Sequence, residues 1–367
     1  MISSIHIQGY RGFQRYDMAG LGRLNLLVGT NNSGKTSVLE ALYLLTSRGD
    51  PMALWQLLLR RGERLITERN RQPESEMDVC HLFSGHEIHQ NSIFKLSAHN
   101  ESPERSVTFT ITELTGKERE ELLTESGPRL SRLALQIKTG VHGEPTILLP
   151  LTRSGGIASD SLVSPRRISR RHRADEPQSQ FITTDSLDSD DLITLWNKVA
   201  LTPNEELVLR ALRFLDPDIE RIASQAAPQY YRGRGGFIIK RKEHDQPIPI
   251  GSMGDGMWRM LAMAIAITQC KGGVLLVDEI DTGLHYTVMA DMWRLIFGAA
   301  KEFDVQVFAT THSFDCIQSL AQVCMNDTHL GEADFVTLQR IEMGRPRSIP
   351  YSEEEIKIAA ERNIEVR

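Results

Sequence analysis

The segment Gly29-Thr30-Asn31-Asn32-Ser33-Gly34-Lys35-Thr36 has the spacing GxxxxGK[ST]. Its glycines let consecutive backbone N–H groups curl around phosphate oxygens, Lys35 adds a point charge at the β- and γ-phosphates, and the Thr36 hydroxyl is a ligand for Mg2+. Asn31, Asn32, Ser33, Gly34, Lys35, Thr36 and Ser37 are therefore candidate nucleotide-binding residues. Downstream, Val274-Leu275-Leu276-Val277-Asp278-Glu279 is an apolar run that ends in two carboxylates. Asp278 is placed to hold Mg2+ through water, and Glu279 to orient an attacking water as a base. Ser252-Met253-Gly254-Asp255-Gly256 precedes an apolar helical stretch, where a serine and two glycines at a helix N-terminus make an anion site. Asp281 and His285 follow the acidic pair, and Thr310-Thr311-His312-Ser313 closes another apolar run.

Each of these residues needs an element to hold it. Ile5 to Gln8 alternates like a strand, and Arg23 to Val28 reads as a strand running straight into the glycine loop. Val38, Leu39, Ala41, Leu42 and Leu45 then recur at helical spacing, which completes the strand–loop–helix context that the phosphate loop requires. Val107 to Ile111 and Leu133 to Ile137 alternate with period two and predict an antiparallel lobe. The stretch from about 152 to 180 is rich in Ser, Gly, Arg and Pro and reads as a long mobile loop, and roughly 185 to 230 reads as helical. In the last third, strands at Phe237–Ile239, Val274–Val277 and Val305–Phe308 alternate with helices, which implies a buried, largely parallel sheet.

A net charge of −6 with 25% charged residues excludes a surface that is a nucleic-acid glove throughout. Cys80, Cys270, Cys316 and Cys324 form no CxxC pair, so neither a disulfide framework nor a zinc site is expected, and a reducing cytoplasm fits. Met1 to Phe13 has no secretory pattern, and no apolar run approaches the ~20 residues that span a bilayer, so no membrane partner is expected.

Taken in order, the phosphate loop, the SxGxG signature, the apolar strand ending in Asp-Glu, Asp281 as a D-loop and a strand ending in His312 resemble the ABC-type ATPase head shared by SMC proteins, RecF and the OLD nucleases. Within that group the chain is most similar to stand-alone OLD-like ATPases without a TOPRIM domain. Ile7-Gln8-Gly9-Tyr10-Arg11-Gly12-Phe13, together with Asn31 and Asn32, resembles the same group rather than a transporter; the resemblance covers about residues 1 to 50 and 236 to 320. It implies an α/β fold, an ABC-type P-loop ATPase head with an inserted antiparallel β lobe and a helical insertion. The implied layout is an N-terminal ATPase lobe at 1–78, the β lobe at 79–150, a mobile basic loop at 151–184, a helical insertion at 185–235 and a C-terminal ATPase lobe at 236–367.

The resemblance also implies a mechanism: ATP with Mg2+ is hydrolysed in a homodimer or a higher even-numbered assembly. Two ATPs are sandwiched between Lys35, Thr36, Asp278 and Glu279 of one chain and Ser252, Gly254 and Gly256 of its mate. By the same similarity Arg11 and Asp281 lie near the nucleotide and His312 senses the γ-phosphate. Two departures from the pattern stand out. No glutamine is assigned as the Q-loop, with Gln72, Gln90 and Cys80-His81-Leu82-Phe83 all weak candidates, and no heptads link Thr36 to Ser252, so the coiled-coil arm of an SMC protein is not expected. A C-terminal TOPRIM nuclease is likewise not expected after His312, and Asp188-Ser189-Asp190 is better read as a helix start than as its acidic motif.

The expected function is an ATP switch that controls a separately encoded effector, a nuclease among the candidates, in bacterial anti-phage defence. The alternative is a RecF-like, ATP-gated DNA-binding protein of DNA repair. The basic run Pro165 to Arg173 separates the two readings, because Arg166, Arg167, Arg170 and Arg171 could contact a phosphate backbone or an acidic protein partner.

Overall fold

The computed structural model describes the chain apart from residues 70–71, 101–104, 117, 119–129, 142, 159–177, 186, 188, 226–235, 243, 327–334, 363 and 367. The basic run with Arg166, Arg167, Arg170 and Arg171, most of the 151–184 stretch and Asp188 lie outside the described residues. The chain divides into two compact units, one of Met1–Gly20, Glu40–Glu176 and Gly344–Ser348, the other of Leu21–Leu39, Pro177–Met343 and Ile349–Arg367.

In chain order the elements are β1 (Ile2–Tyr10), β2 (Phe13–Ala19), β3 (Leu24–Val28), α1 (Lys35–Thr46), α2 (Pro51–Arg61), β4 (Arg64–Arg69) and β5 (Gln72–Asp78). There follow β6 (Ile93–Asn100), β7 (Arg105–Glu113), β8 (Leu130–Thr139), β9 (Ile147–Thr152), β10 (Gly156–Ala158) and β11 (Ser179–Ile182). Next come α3 (Ser189–Trp196), α4 (Asn204–Arg213), β12 (Ile219–Ser224), β13 (Phe237–Arg241), β14 (Ile248–Pro249) and α5 (Asp255–Gln269). The last are β15 (Val274–Val277), α6 (Tyr286–Glu302), β16 (Gln306–Thr310), α7 (Phe314–Asn326), β17 (Val336–Arg340), β18 (Ile349–Ser352) and α8 (Glu353–Glu361).

The first unit is built on a six-stranded antiparallel sheet of order β2-β1-β6-β7-β8-β9, with a smaller sheet β10-β5-β4. Period-two burial explains it: Val107, Phe109 and Ile111 of β7 turn inward while their neighbours face out. Phe94 of β6 sits opposite Phe109 in register, and the two rings stack with centroids 4.3 Å apart.

In the second unit the main sheet runs β11-β15-β16-β3-β17-β18, parallel except for the last pair. All five residues of β3 are buried, as the continuous apolar run of an interior parallel strand requires. Its one polar residue, Asn25, is fully buried and fully engaged. Its amide donates to Gly22 O at 2.9 Å and Val307 O at 3.1 Å, and its carbonyl oxygen accepts from Gly22 N and Thr337 Oγ1, each at 2.9 Å. One side chain thereby ties β3 to β16 and β17 on either side. Helix α5 is buried continuously from Met257 to Thr268, the pattern of a helix apolar on every face, and α3 and α4 pack on it.

Three elements depart from the sequence pattern for identifiable reasons. β12 lies in the stretch read as helical because a register shift between Ile219 and Arg221 breaks its alternation, leaving Ile219 and Ile222 buried at a helix-like spacing. β13 pairs with β12 and β14 in a separate antiparallel sheet rather than joining the parallel one. β11, four residues beginning Ser-Gln, is too short to show a period and is fixed by parallel pairing with β15. Among the described residues no helix is long and apolar enough to cross a membrane.

Because Asn25 bridges three strands, Asn25→Leu leaves the Gly22 N–H and the Val307 carbonyl without that partner in a dry core. The expected loss is about 2–3 kcal/mol, read as a lower urea midpoint at unchanged m-value.

Candidate functional site

Parallel α/β sheets bind ligands outside the carboxyl ends of their strands. In the second unit β3 ends in the glycine loop, β15 ends at Asp278 and Glu279, and β16 ends at Thr310 before Thr311 and His312. The sequence spreads these residues over most of the chain, and the order β15-β16-β3 brings them to one edge.

The loop closes tightly. Gly29 has φ +146°, and a Cβ there would collide with the Ile341 carbonyl and come within 2.9 Å of Ser33 Oγ, so only glycine fits. Asn32 and Gly34 also have positive φ, of 62° and 101°. Asn31 and Asn32 are exposed, whereas Ser33 is buried with an Oγ that has no hydrogen-bond partner in the protein. Lys35 Nζ is 2.8 Å from Gly29 O and 2.9 Å from Thr30 O. Burial lowers its pKa, and the charges of Asp278 and Glu279 act in the opposite direction.

Around Asp278 the side chains interlock. Thr36 Oγ1 lies 3.1 Å from both carboxylate oxygens, Thr310 Oγ1 donates to Asp278 Oδ1 at 2.6 Å, and the same Thr310 oxygen accepts from Glu279 N at 2.7 Å. Thr36 and Asp278 thus form a set of hard oxygen donors of the kind that Mg2+ takes, keeping waters in its remaining positions. Glu279 has φ +46°, which is unfavourable for a residue with a Cβ. Its carboxylate reaches His312 Nδ1 at 3.5 Å, with the two side chains 39% and 55% exposed, open enough for water to lie between them and a ligand.

Two further residues, which the sequence reading did not single out, hold this edge. Arg259 on α5 is 2% exposed and donates to the main-chain oxygens of Asp278 at 2.5 Å, Glu279 at 3.0 Å and Thr183. Burial pulls its pKa down to about 10, against the opposing charges of Asp278, Asp281 and Glu279. A single arginine inside an otherwise apolar helix is the signal that could have found it. Thr311 Oγ1 donates to Asp281 Oδ1 at 2.6 Å, fixing the segment after the acidic pair.

Ser252 and Gly254 are exposed at the start of α5, where Gly254 has φ 94° and caps the helix without a side chain. Gly256 lies so near Gly283 that a Cβ would stand 2.8 Å from the Gly283 carbonyl, so the glycine-rich turn is fitted against the segment that follows Glu279 and Asp281. Arg11 belongs to the other unit, where it is 6% exposed and held by Glu40 at 2.7 Å and Glu63 at 2.6 Å. Gln90 sits in an exposed turn, and the side chain of Gln72 lies outside the description.

What β3, β15 and β16 deliver at their carboxyl ends is the working edge of a P-loop ATPase. Residues 24–315 match the family described as "AAA domain, putative AbiEii toxin, Type IV TA system", and the chain belongs to that family. An "ATP/GTP phosphatase" of Helicobacter pylori is 21% identical over 360 residues, covering 88% of each chain. Among solved structures, an SMC head domain from Thermotoga maritima is 13% identical with a TM-score of 0.44, covering 96% of this chain and 98% of that one. An Smc head domain with an extended coiled coil, bound to the C-terminal domain of ScpA, from Pyrococcus furiosus, is 11% identical with a TM-score of 0.47 and covers 99% of both. At these scores the structural likeness carries no argument of its own.

Thr310→Val keeps the volume of the side chain and removes both of its hydrogen bonds. The expected result is a fall of roughly 10- to 100-fold in ATP turnover with nucleotide binding retained, measured by steady-state phosphate release alongside binding of a fluorescent ATP analogue.

Proposed function

We propose that the chain is an ATP-driven switch whose heads dimerise around two nucleotides and whose state controls a separately encoded effector. The observation that carries this reading is the surface position of Ser252 and Gly254 at the N-terminus of a long buried helix. A helix N-terminus with a small-residue cap is an anion site that can serve a neighbouring molecule. The close fit of Gly256 against Gly283 links it mechanically to the segment carrying Glu279 and Asp281.

In this reading the loop N–H groups and Lys35 hold the β- and γ-phosphates, Thr36 and Asp278 hold the Mg2+ that neutralises them, and Glu279 takes the proton of the attacking water. Thr310 and Arg259 position Asp278 and Glu279 from behind, and His312, next to the Glu279 carboxylate, registers whether the γ-phosphate is present. The nucleotide then acts as a removable bridge: its terminal phosphate joins the loop of one chain to the signature of the other, and hydrolysis releases the joint. The toxin named in the family description supports a role in defence, and four free cysteines support a reducing, cytoplasmic setting.

A mixing experiment separates a composite site from a self-contained one. Lys35→Ala and Ser252→Arg should each abolish turnover alone, and mixing the two should restore part of it, because the heterodimer has one intact loop facing one intact signature. No recovery on mixing rejects the sandwich. Separately, Glu279→Gln should bind ATP and dimerise on size exclusion while hydrolysing at least ~100-fold more slowly. Near-normal hydrolysis would remove Glu279 from the role of base.

A further inference from the structure

The first unit carries a second group of ligating side chains at the end of β5. Asp78 closes that strand, Cys80 and His81 open the turn Cys80–Leu82, and one donor atom from each lies within 4.8 Å of the other two. All three residues are half-buried. The backbone holds them in place. Asp78 Oδ1 accepts from Cys80 N at 2.9 Å, Phe83 N donates to Cys80 O at 3.1 Å, and Arg11 N donates to Leu82 O at 2.9 Å.

Each ring nitrogen of His81 faces a neighbouring side chain. Its Nε2 faces Asp78 Oδ2 at 3.6 Å, and its Nδ1 is 3.2 Å from Nδ1 of His86. The first distance is too long for a hydrogen bond, but it is near the ~3.3–3.6 Å that separates neighbouring ligands of a tetrahedral ion with bonds of about 2.0–2.3 Å. The second is the arrangement of a metal-bound histidine, whose other ring N–H donates to an acceptor that fixes its tautomer and orientation. The Cys80 thiol is pushed up to about 12 by burial, by its hydrogen bond to Asp78 and by the charges of Asp78 and Glu63.

We propose that Asp78, Cys80 and His81 bind one divalent cation of the zinc class, with His86 orienting His81 from behind. A set of one sulfur, one nitrogen and one oxygen suits Zn2+ and excludes Mg2+, which takes oxygen donors as at Thr36 and Asp278. On binding, the S–H bond of Cys80 breaks, the sulfur keeps the electron pair and bonds the metal, and the proton passes to water; nothing is oxidised or reduced. Three protein ligands leave a fourth position for water or a ligand atom. The bound ion would staple the end of β5 to the turn Cys80–Leu82.

The test is Co2+ titration of the full chain without nucleotide, followed by absorbance, with Zn2+ as competitor. One equivalent of Co2+ should give a thiolate-to-cobalt charge-transfer band and the intense visible bands of a tetrahedral site, both removed by Zn2+. Cys80→Ser should abolish the charge-transfer band, and His86→Ala, on an exposed turn where folding is not at stake, should weaken binding about 10-fold. Asp278→Ala should leave the spectrum unchanged. Absence of a thiolate band in the intact chain, its persistence in Cys80→Ser, or its loss in Asp278→Ala would each overturn the proposal.

Discussion

The chemistry of the second unit depends on one hydroxyl. Thr310, at the last position of β16, donates to Asp278 and receives the main-chain N–H of Glu279, so the two carboxylates of neighbouring β15 are set by the strand beside it. A threonine can do both because its oxygen is donor and acceptor at once, while its methyl occupies the apolar volume of a strand end. Since β16 also pairs with β3, the phosphate loop and the acidic pair share one mechanical reference. The side chain that fixes β3 in turn is Asn25, which makes one hydrogen bond to β16, one to β17 and two to Gly22. In β3 and in β16 a buried polar side chain thus fixes the strand against its neighbours.

Backbone strain at Glu279 fits this frame. A left-handed conformation in a residue with a Cβ costs of order 1–3 kcal/mol and persists only where the surroundings over-determine it. Here they do: the N–H of Glu279 is held by Thr310, its carbonyl by Arg259, and the next N–H, of Ile280, by the Thr310 carbonyl. Turning the chain sharply after Asp278 aims Asp278 at Thr36 and Glu279 at His312, two directions that a regular strand could give to adjacent residues only by putting them on opposite faces of the sheet.

Much of this edge was legible in the sequence, because GxxxxGK[ST] and an apolar run ending in Asp-Glu carry their chemistry in residue type and spacing. The strands beneath were legible where burial is continuous, as in β3, β15 and β16, or alternates, as in β7. What did not show were features made only by tertiary contact. Thr310 looks like any strand-end threonine until its two partners are adjacent. Arg259 was visible as a charge in an apolar helix, but its partners are main-chain oxygens, which no side-chain pattern records. The bulge in β12 disguised a strand as a helix, and β11 had too few residues to declare itself.

In the proposed site the charges would favour nucleotide and cation arriving together. Asp278, Glu279 and Asp281 place three carboxylates there, against two cations, Lys35 and the buried Arg259. Arg259 spends its hydrogen bonds on carbonyl oxygens, so it offsets the carboxylates through space without pairing with any of them, and at low dielectric that offset is felt across the whole edge. The balance is still one negative charge in excess, which opposes the entry of a bare polyphosphate. A divalent ion held by Thr36 and Asp278 would reverse the sign, and Thr310 fixes the Asp278 carboxylate. In the proposed site the nucleotide would therefore bind as its metal complex, and the buried arginine keeps this edge close enough to neutral that one divalent cation would suffice.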